Sequence, residues 1–216
     1  MAIEVPLLPL GAVLFPHMPM SLHIFEERYR TMMRDCRAAS TTFGIVAIRE
    51  GHEVGAGAVP YEVGTLAQLD DIEELPDGRY NLRVVGASRF RIDALSHDRQ
   101  YLVGAVHYLQ DRPAPVGDTE RLAMAVTASF RGYATQLRGI GQQEPRGLEL
   151  PSDLELLSYL VAAALQVGTA QRQRLLEIDD TAERLTACLR LLRREAALLD
   201  RMLVRSKDHA GTSGLN

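Results

Sequence analysis

Lysine is nearly missing from this chain: of its 24 Lys and Arg residues, all but Lys207 are arginine. That scarcity excludes several chemistries. A phosphate-binding loop of the form G-x-x-x-x-G-K-[ST] needs a lysine, a Ser-Lys peptidase needs one beside its serine, and a Schiff-base enzyme needs one in a pocket. Lys207 belongs to a polar C-terminal stretch and serves none of them. Cysteine is also scarce. Cys36 and Cys188 lie far apart, with no second cysteine or histidine at metal-ligand spacing, so packed, reduced thiols are expected and a disulfide between them is the alternative. No apolar run reaches the roughly 18 residues of a membrane helix, and Glu4 stands where a secretory leader would be basic. A cytoplasmic protein without membrane contact is the expectation. No G-x-S-x-G elbow occurs, and no ordered Ser, His and Asp set is evident. We therefore expect no catalysis, no cofactor and no metal site.

What is present fits a folded chain of 216 residues, with 46% hydrophobic and 24% charged residues. This length accommodates one large or two small domains with a substantial core. The most informative stretch runs from Pro6 to Arg30. Pro6, Pro9, Pro16 and Pro19 interrupt apolar runs, so the pieces between them are edge strands or leave the sheet at each proline. From Glu26 the pattern changes to an amphipathic helix, with Tyr29, Met32, Met33 and Cys36 on one face.

Strand patterns follow. Phe43 to Ile48 is a continuous apolar run suited to burial on both faces, and Tyr61 to Asp70 alternates. Pro76-Asp77-Gly78 is a turn signal. Tyr80, Leu82 and Val84 alternate again, Gly86 marks a bend or bulge before Arg89 to Asp93, and a last strand runs from about Tyr101 to Leu109. About six strands with one short helix make a closed or nearly closed barrel.

The proline-rich joint from Asp111 to Gly117 separates this part from a helical one. Leu122, Val126, Phe130, Tyr133 and Leu137 form one stripe, ending near Gly139 and Gly141. Ser152 and Glu155 read as a capping box for a helix to about Gln166. A short helix from about Ala170 to Ile178 follows. Asp180 and Glu183 then open a final helix, placed at 182–204, whose Leu185, Leu189, Leu192, Ala196, Leu199 and Leu203 form a seam. Bundle packing inside one chain is the expected use of that seam, with a weak dimer as the alternative. The fold class is α+β.

Four stretches in register carry a family resemblance: Pro6 to Arg30; Phe43-Gly-Ile-Val-Ala-Ile48; Tyr61-Glu-Val-Gly-Thr-Leu-Ala67; and Leu75-Pro-Asp-Gly-Arg-Tyr80 leading to Gly86-Ala-Ser-Arg-Phe-Arg91. Together they resemble the Lon substrate-binding domain, the amino-terminal domain of Lon proteases, which also occurs as a stand-alone bacterial protein. The resemblance implies a PUA-like pseudo-barrel over 1–112, a helical bundle with a long terminal helix over 118–206, and a polar tail without fixed structure over 207–216. It implies a non-catalytic, polypeptide-binding role, as an adaptor or holdase for unfolded or partly folded chains or alongside a protease partner. The sequence departs from the family at His17, where glycine often follows the Phe-Pro pair.

The candidate polypeptide-binding residues are Phe15, His17, Met18 and Met20, apolar or adaptable groups on a proline-bounded loop. Packing of that loop against the Tyr29 helix is the competing reading. Metal binding by His17, Met18, Met20 and His23 fits no standard spacing. The rival function is RNA binding by Arg83, Arg89 and Arg91 on one strand face. Charge opposes it, because residues 1–110 carry 10 arginines against 14 carboxylates and residues 111–216 balance at 14 and 14. Phosphate recognition draws on clustered positive charge, and neither half has an excess.

Overall fold

In the computed structural model the proline-punctuated opening forms two strands, β1 (Ile3–Leu10) and β2 (Pro19–Ile24). The structure describes residues 3–53, 55, 57–114, 118–139 and 150–212, the last eleven as backbone only. β1 is not an edge strand as a whole, yet its prolines obey the ladder. Pro6 lies where β1 pairs only with β6, and Pro9 lies where it pairs only with β3. Each imino nitrogen can therefore face the side that asks for no donor. Pro19 opens β2, a true edge strand.

The other strands are β3 (Phe43–Glu50), β4 (Val59–Glu74), β5 (Tyr80–Ser96) and β6 (Leu102–Tyr108), and α1 (Glu27–Ala39) lies between β2 and β3. The sheet order is β2-β5-β4-β3-β1-β6, with a further β5–β6 pairing. That last pairing closes five strands into a ring and leaves β2 attached outside it. The bend expected at Gly86 is a bulge in one unbroken strand: Gly86 and Arg89 oppose Ala67 and Thr65, three residues on β5 against two on β4. Inside the ring sit Val5, Leu7, Val46, Leu66, Phe90 and Val106. The predicted face of α1, Tyr29, Met32, Met33 and Cys36, covers a second core with Phe43, Ile45 and Leu82.

The helical half comprises α2 (Asp118–Gly139), α3 (Leu154–Ala164), α4 (Thr169–Leu176) and α5 (Thr181–Thr212). α2, α3 and α4 all contact α5. Their core is continuous with the outer face of the sheet, because Val13, Phe15, Ala47 and Val63 belong to the same buried cluster as Tyr159, Leu185 and Leu192. Two helix starts differ from expectation by one residue. Asp153, not Ser152, caps α3, accepting a bond from Leu156 N at 2.7 Å. α5 begins at Thr181, with Asp180 Oδ1 accepting from Glu183 N at 2.9 Å. α3 ends at Ala164 rather than near Gln166, and the backbone of α5 stays helical to Thr212 instead of giving way to a tail at 207. Residues 115–117 of the joint, Gly141 and residues 213–216 lie outside the described residues. Among the described residues, no helix is long and apolar enough to cross a membrane.

Candidate functional site

Four residues, Phe15 to Met18, make a tight turn against β5. Pro16 supplies the fixed φ of its second position, His17 has φ 64° at the third, and Met18 N donates to Phe15 O at 3.2 Å. These are the requirements of a type II turn, whose third position favours glycine. The family's frequent glycine there thus has a backbone reason, and this chain keeps the geometry with histidine. Gly86 clamps the turn: its O accepts from His17 N at 2.7 Å and its N donates to Met18 O at 3.0 Å. A Cβ at Gly86 would stand 2.1 Å from Phe15 O, so only glycine admits this approach.

The clamp decides where the candidate side chains go. Phe15 is 1% exposed and sits 6.3 Å from the Tyr159 ring, so it anchors the loop to α3 and not to the Tyr29 helix. Met18 packs partly against the same helical core, and Met20 partly against the α1 core. Of the four candidates His17 alone is exposed, with Nε2 3.9 Å from a Glu155 carboxylate oxygen across the junction of sheet and helices.

Beneath this turn lies a buried polar network that sequence reading did not assemble. Arg89 and Arg184 are 1% and 0% exposed. Arg89 Nη2 is 3.1 Å from Asp179 and 3.3 Å from Asp111, and its Nη1 donates to Leu176 O at 2.8 Å. Arg184 Nη1 is 2.8 Å from Asp111, its Nε donates to Ser158 Oγ at 2.8 Å, and its guanidinium lies 3.8 Å over the Tyr159 ring. The Tyr159 hydroxyl donates to the Asp111 carboxylate at 2.7 Å. Burial raises the Tyr159 pKa above its ordinary value, outweighing the two arginines that lower it. Arg184 had a legible signal, since it falls on the stripe of Thr181, Leu185, Cys188 and Leu192. Asp111, in a proline-rich joint, had none.

One hollow opens beside the network and a second adjoins it. The junction cleft, about 630 Å³, is walled by Pro16, His17, Val85, Leu109 and Glu155, with Arg89 and Asp111 also contributing. The second, about 460 Å³, lies between α1 and the sheet and is lined mainly by apolar groups, including Met33, Phe43, Leu66 and Leu69. Gln68 and Ala87 line both, so the hollows adjoin across the β4–β5 ladder. Leu69 is 40% exposed at the rim of the second.

The three arginines proposed for RNA do not share a face. The bulge puts Arg89 and Arg91 on the side of Thr65 and Val63, whereas Arg83 falls on the other. Each is paired with carboxylate: Arg83 with Asp70 at 2.6 Å, Arg91 with Glu62 at 3.3 Å, and Arg89 inside the network. Asp93, on the same strand, faces His107 at 2.8 Å. Among the described residues no group of three His, Cys, Asp or Glu side chains is placed to hold a metal.

The sequence matches a family model. Residues 4–194 match that of the ATP-dependent protease La (LON) substrate-binding domain. The chain belongs to this LON substrate-binding domain family. Its relatives include the Lon protease of Escherichia coli strain K12, 28% identical over 200 residues that cover 91% of this chain and 25% of that protein. Another is the Lon protease of Brevibacillus choshinensis, 26% identical over 203 residues, covering 91% and 26%. The chain thus spans about a quarter of the length of these curated relatives. Among solved structures, the Lon N-terminal domain protein from Xanthomonas campestris superposes with a TM-score of 0.65 at 28% identity, covering 87% of this chain and 97% of that one. The N-terminal domain of Mycobacterium avium complex Lon protease gives 0.66 at 18% identity, covering 88% and 98%, which speaks to the fold alone. The LON substrate-binding domain is therefore the frame for the junction cleft, and the expected α+β class holds.

Proposed function

We propose that this LON-family chain is a non-catalytic polypeptide-binding module, an adaptor or holdase for unfolded or partly folded chains. The supporting observation is the pair of adjoining hollows, one apolar and one mixed, that meet at Gln68 and Ala87. An extended segment bridging them would bury apolar side chains against Met33, Phe43 and Leu69 and set its backbone beside the β5 bulge. Burial of apolar area supplies the affinity, and methionine in the wall adapts to varied clients. In this reading Phe15 holds the wall, His17 borders the junction cleft, Met18 packs against the helical core, and Met20 backs the sheet. The closed sheet is of the PUA-like kind and the helices behind it form a bundle. The module works in the cytoplasm as a monomer, or a weak dimer through the 182–204 stretch of α5.

Titration of the purified protein against a fluorescently labelled unfolded polypeptide tests this reading. Anisotropy is expected to rise saturably, and Leu69→Asp is expected to weaken binding about fivefold, the effect of about 1 kcal/mol of lost apolar contact. Retardation of a short RNA at physiological salt with no response to polypeptide would overturn the reading. ATP or peptide turnover that survives stringent purification would overturn its non-catalytic part.

A further inference from the structure

Charge in the junction cleft is unevenly compensated. Arg89 and Arg184 are balanced by Asp111 and Asp179 at 2.8 to 3.3 Å, so the buried cluster is neutral as a whole. Glu155 is left over. No arginine is within ion-pair distance of it among the described residues, its one ionic neighbour is His17 at 3.9 Å, and its side chain is 42% exposed. It stands in the first turn of α3, held in place by the Asp153 cap and by the Ser158 Oγ bond to its backbone O at 2.6 Å. The carboxylate thus sits on a fixed backbone in a mixed cleft, where Pro16, Val85 and Leu109 supply apolar wall beside the polar Gln68, Ser88 and Gln110.

We propose that the junction cleft selects extended polypeptide segments in which an arginine or lysine is flanked by apolar residues, with the client's cation against the Glu155 carboxylate. This inference rests on the polypeptide-binding reading and adds a specificity to it. The charge is complementary, since a carboxylate in a partly enclosed cleft attracts a cation more strongly than one in open water. The geometry is complementary too: the aliphatic stem of arginine or lysine covers apolar wall while its head reaches the cleft mouth. An acidic client would meet the Glu155 carboxylate and be disfavoured.

The test uses the full chain and three labelled peptides of one apolar sequence, with arginine, citrulline or glutamate at the central position. Citrulline keeps the shape of arginine without its charge. The arginine peptide is expected to bind about three- to tenfold more tightly than the citrulline peptide, the range for one partly exposed ion pair, and the glutamate peptide more weakly than either. Glu155→Gln is expected to erase the arginine-over-citrulline preference, and Glu155→Arg to reverse the ranking of the arginine and glutamate peptides. Equal binding of the arginine and citrulline peptides, or a preference that persists in Glu155→Gln, would overturn this inference while leaving polypeptide binding intact. Failure of every peptide and of the unfolded polypeptide to bind would overturn both.

Discussion

His17 holds a backbone conformation that most residues avoid, and the sequence context makes it do so. Pro16 and the two hydrogen bonds to Gly86 fix the turn, leaving the third position at φ 64° whatever its side chain. A non-glycine residue there costs about 1 to 2 kcal/mol, and glycine would remove this strain but lose part of the gain through its looser unfolded state. His17→Gly is expected to raise stability by up to about 1 kcal/mol. The urea midpoint of the two proteins checks this, and an unchanged or lowered midpoint would mean that the His17 ring near Tyr159 and Glu155 outweighs the strain. The turn itself was legible as a proline-bounded loop. The burial of Phe15 was not, because its partner Tyr159 lies 144 positions away in a helix whose placement no local pattern specifies.

Among the elements, α5 carries the clearest pH signature. Its buried face includes Cys188, 0% exposed, whose thiol is pushed by burial up to about 12 from an ordinary value of 9.0, although Arg184 beside it works the other way. In the unfolded chain the thiol loses its proton near 9, while in the folded chain it keeps it. The unfolded state then binds fewer protons, so the contribution is complete below pH 9 and declines as pH rises toward 12, with a limiting slope of about 1.4 kcal/mol per pH unit. Cys36 on α1 is raised in the same direction, again mainly by burial. Urea unfolding at about pH 8 and about pH 10 is expected to show a loss that shrinks in Cys188→Ala, and an equal loss in the variant would remove Cys188 as its source. The seam that buries this thiol was readable as spacing. So were the face of α1, the run of β3 and the bulge near Gly86. The bulge's effect was not: an extra residue on β5 flips side-chain parity, and it carried Arg83 away from Arg89 and Arg91 in a way that strict alternation conceals.

For the whole molecule, the division at residue 112 read from composition is a division of secondary structure rather than of core. Val13, Phe15, Ala47 and Val63 are buried only because helices cover them, and polar ties cross the same boundary. Gln173 Nε2 donates to Val63 O at 3.0 Å, Thr169 Oγ1 to Gly11 O at 2.7 Å, and Arg89 Nη1 to Leu176 O at 2.8 Å. Sheet and helices are therefore expected to unfold in one transition, with far-ultraviolet dichroism and tyrosine fluorescence giving the same midpoint. A fragment of residues 1–112 is expected to aggregate or bind a hydrophobic dye, because it bares the apolar faces that α3, α4 and α5 cover. Two separated transitions, or a soluble and cooperatively folding fragment, would show that the halves are independent.

The ring closure described for β5, β6 and β1 also sets an order of events during synthesis. β1 leaves the ribosome first, but its partner β6 follows only after residue 102, and the helices that cover Phe15 come later still, up to Leu192 in α5. Contacts this distant are slow to form and leave apolar surface bare in the meantime. The segment around Phe15 thus stays bare until the residues of α5 that complete its core have been made.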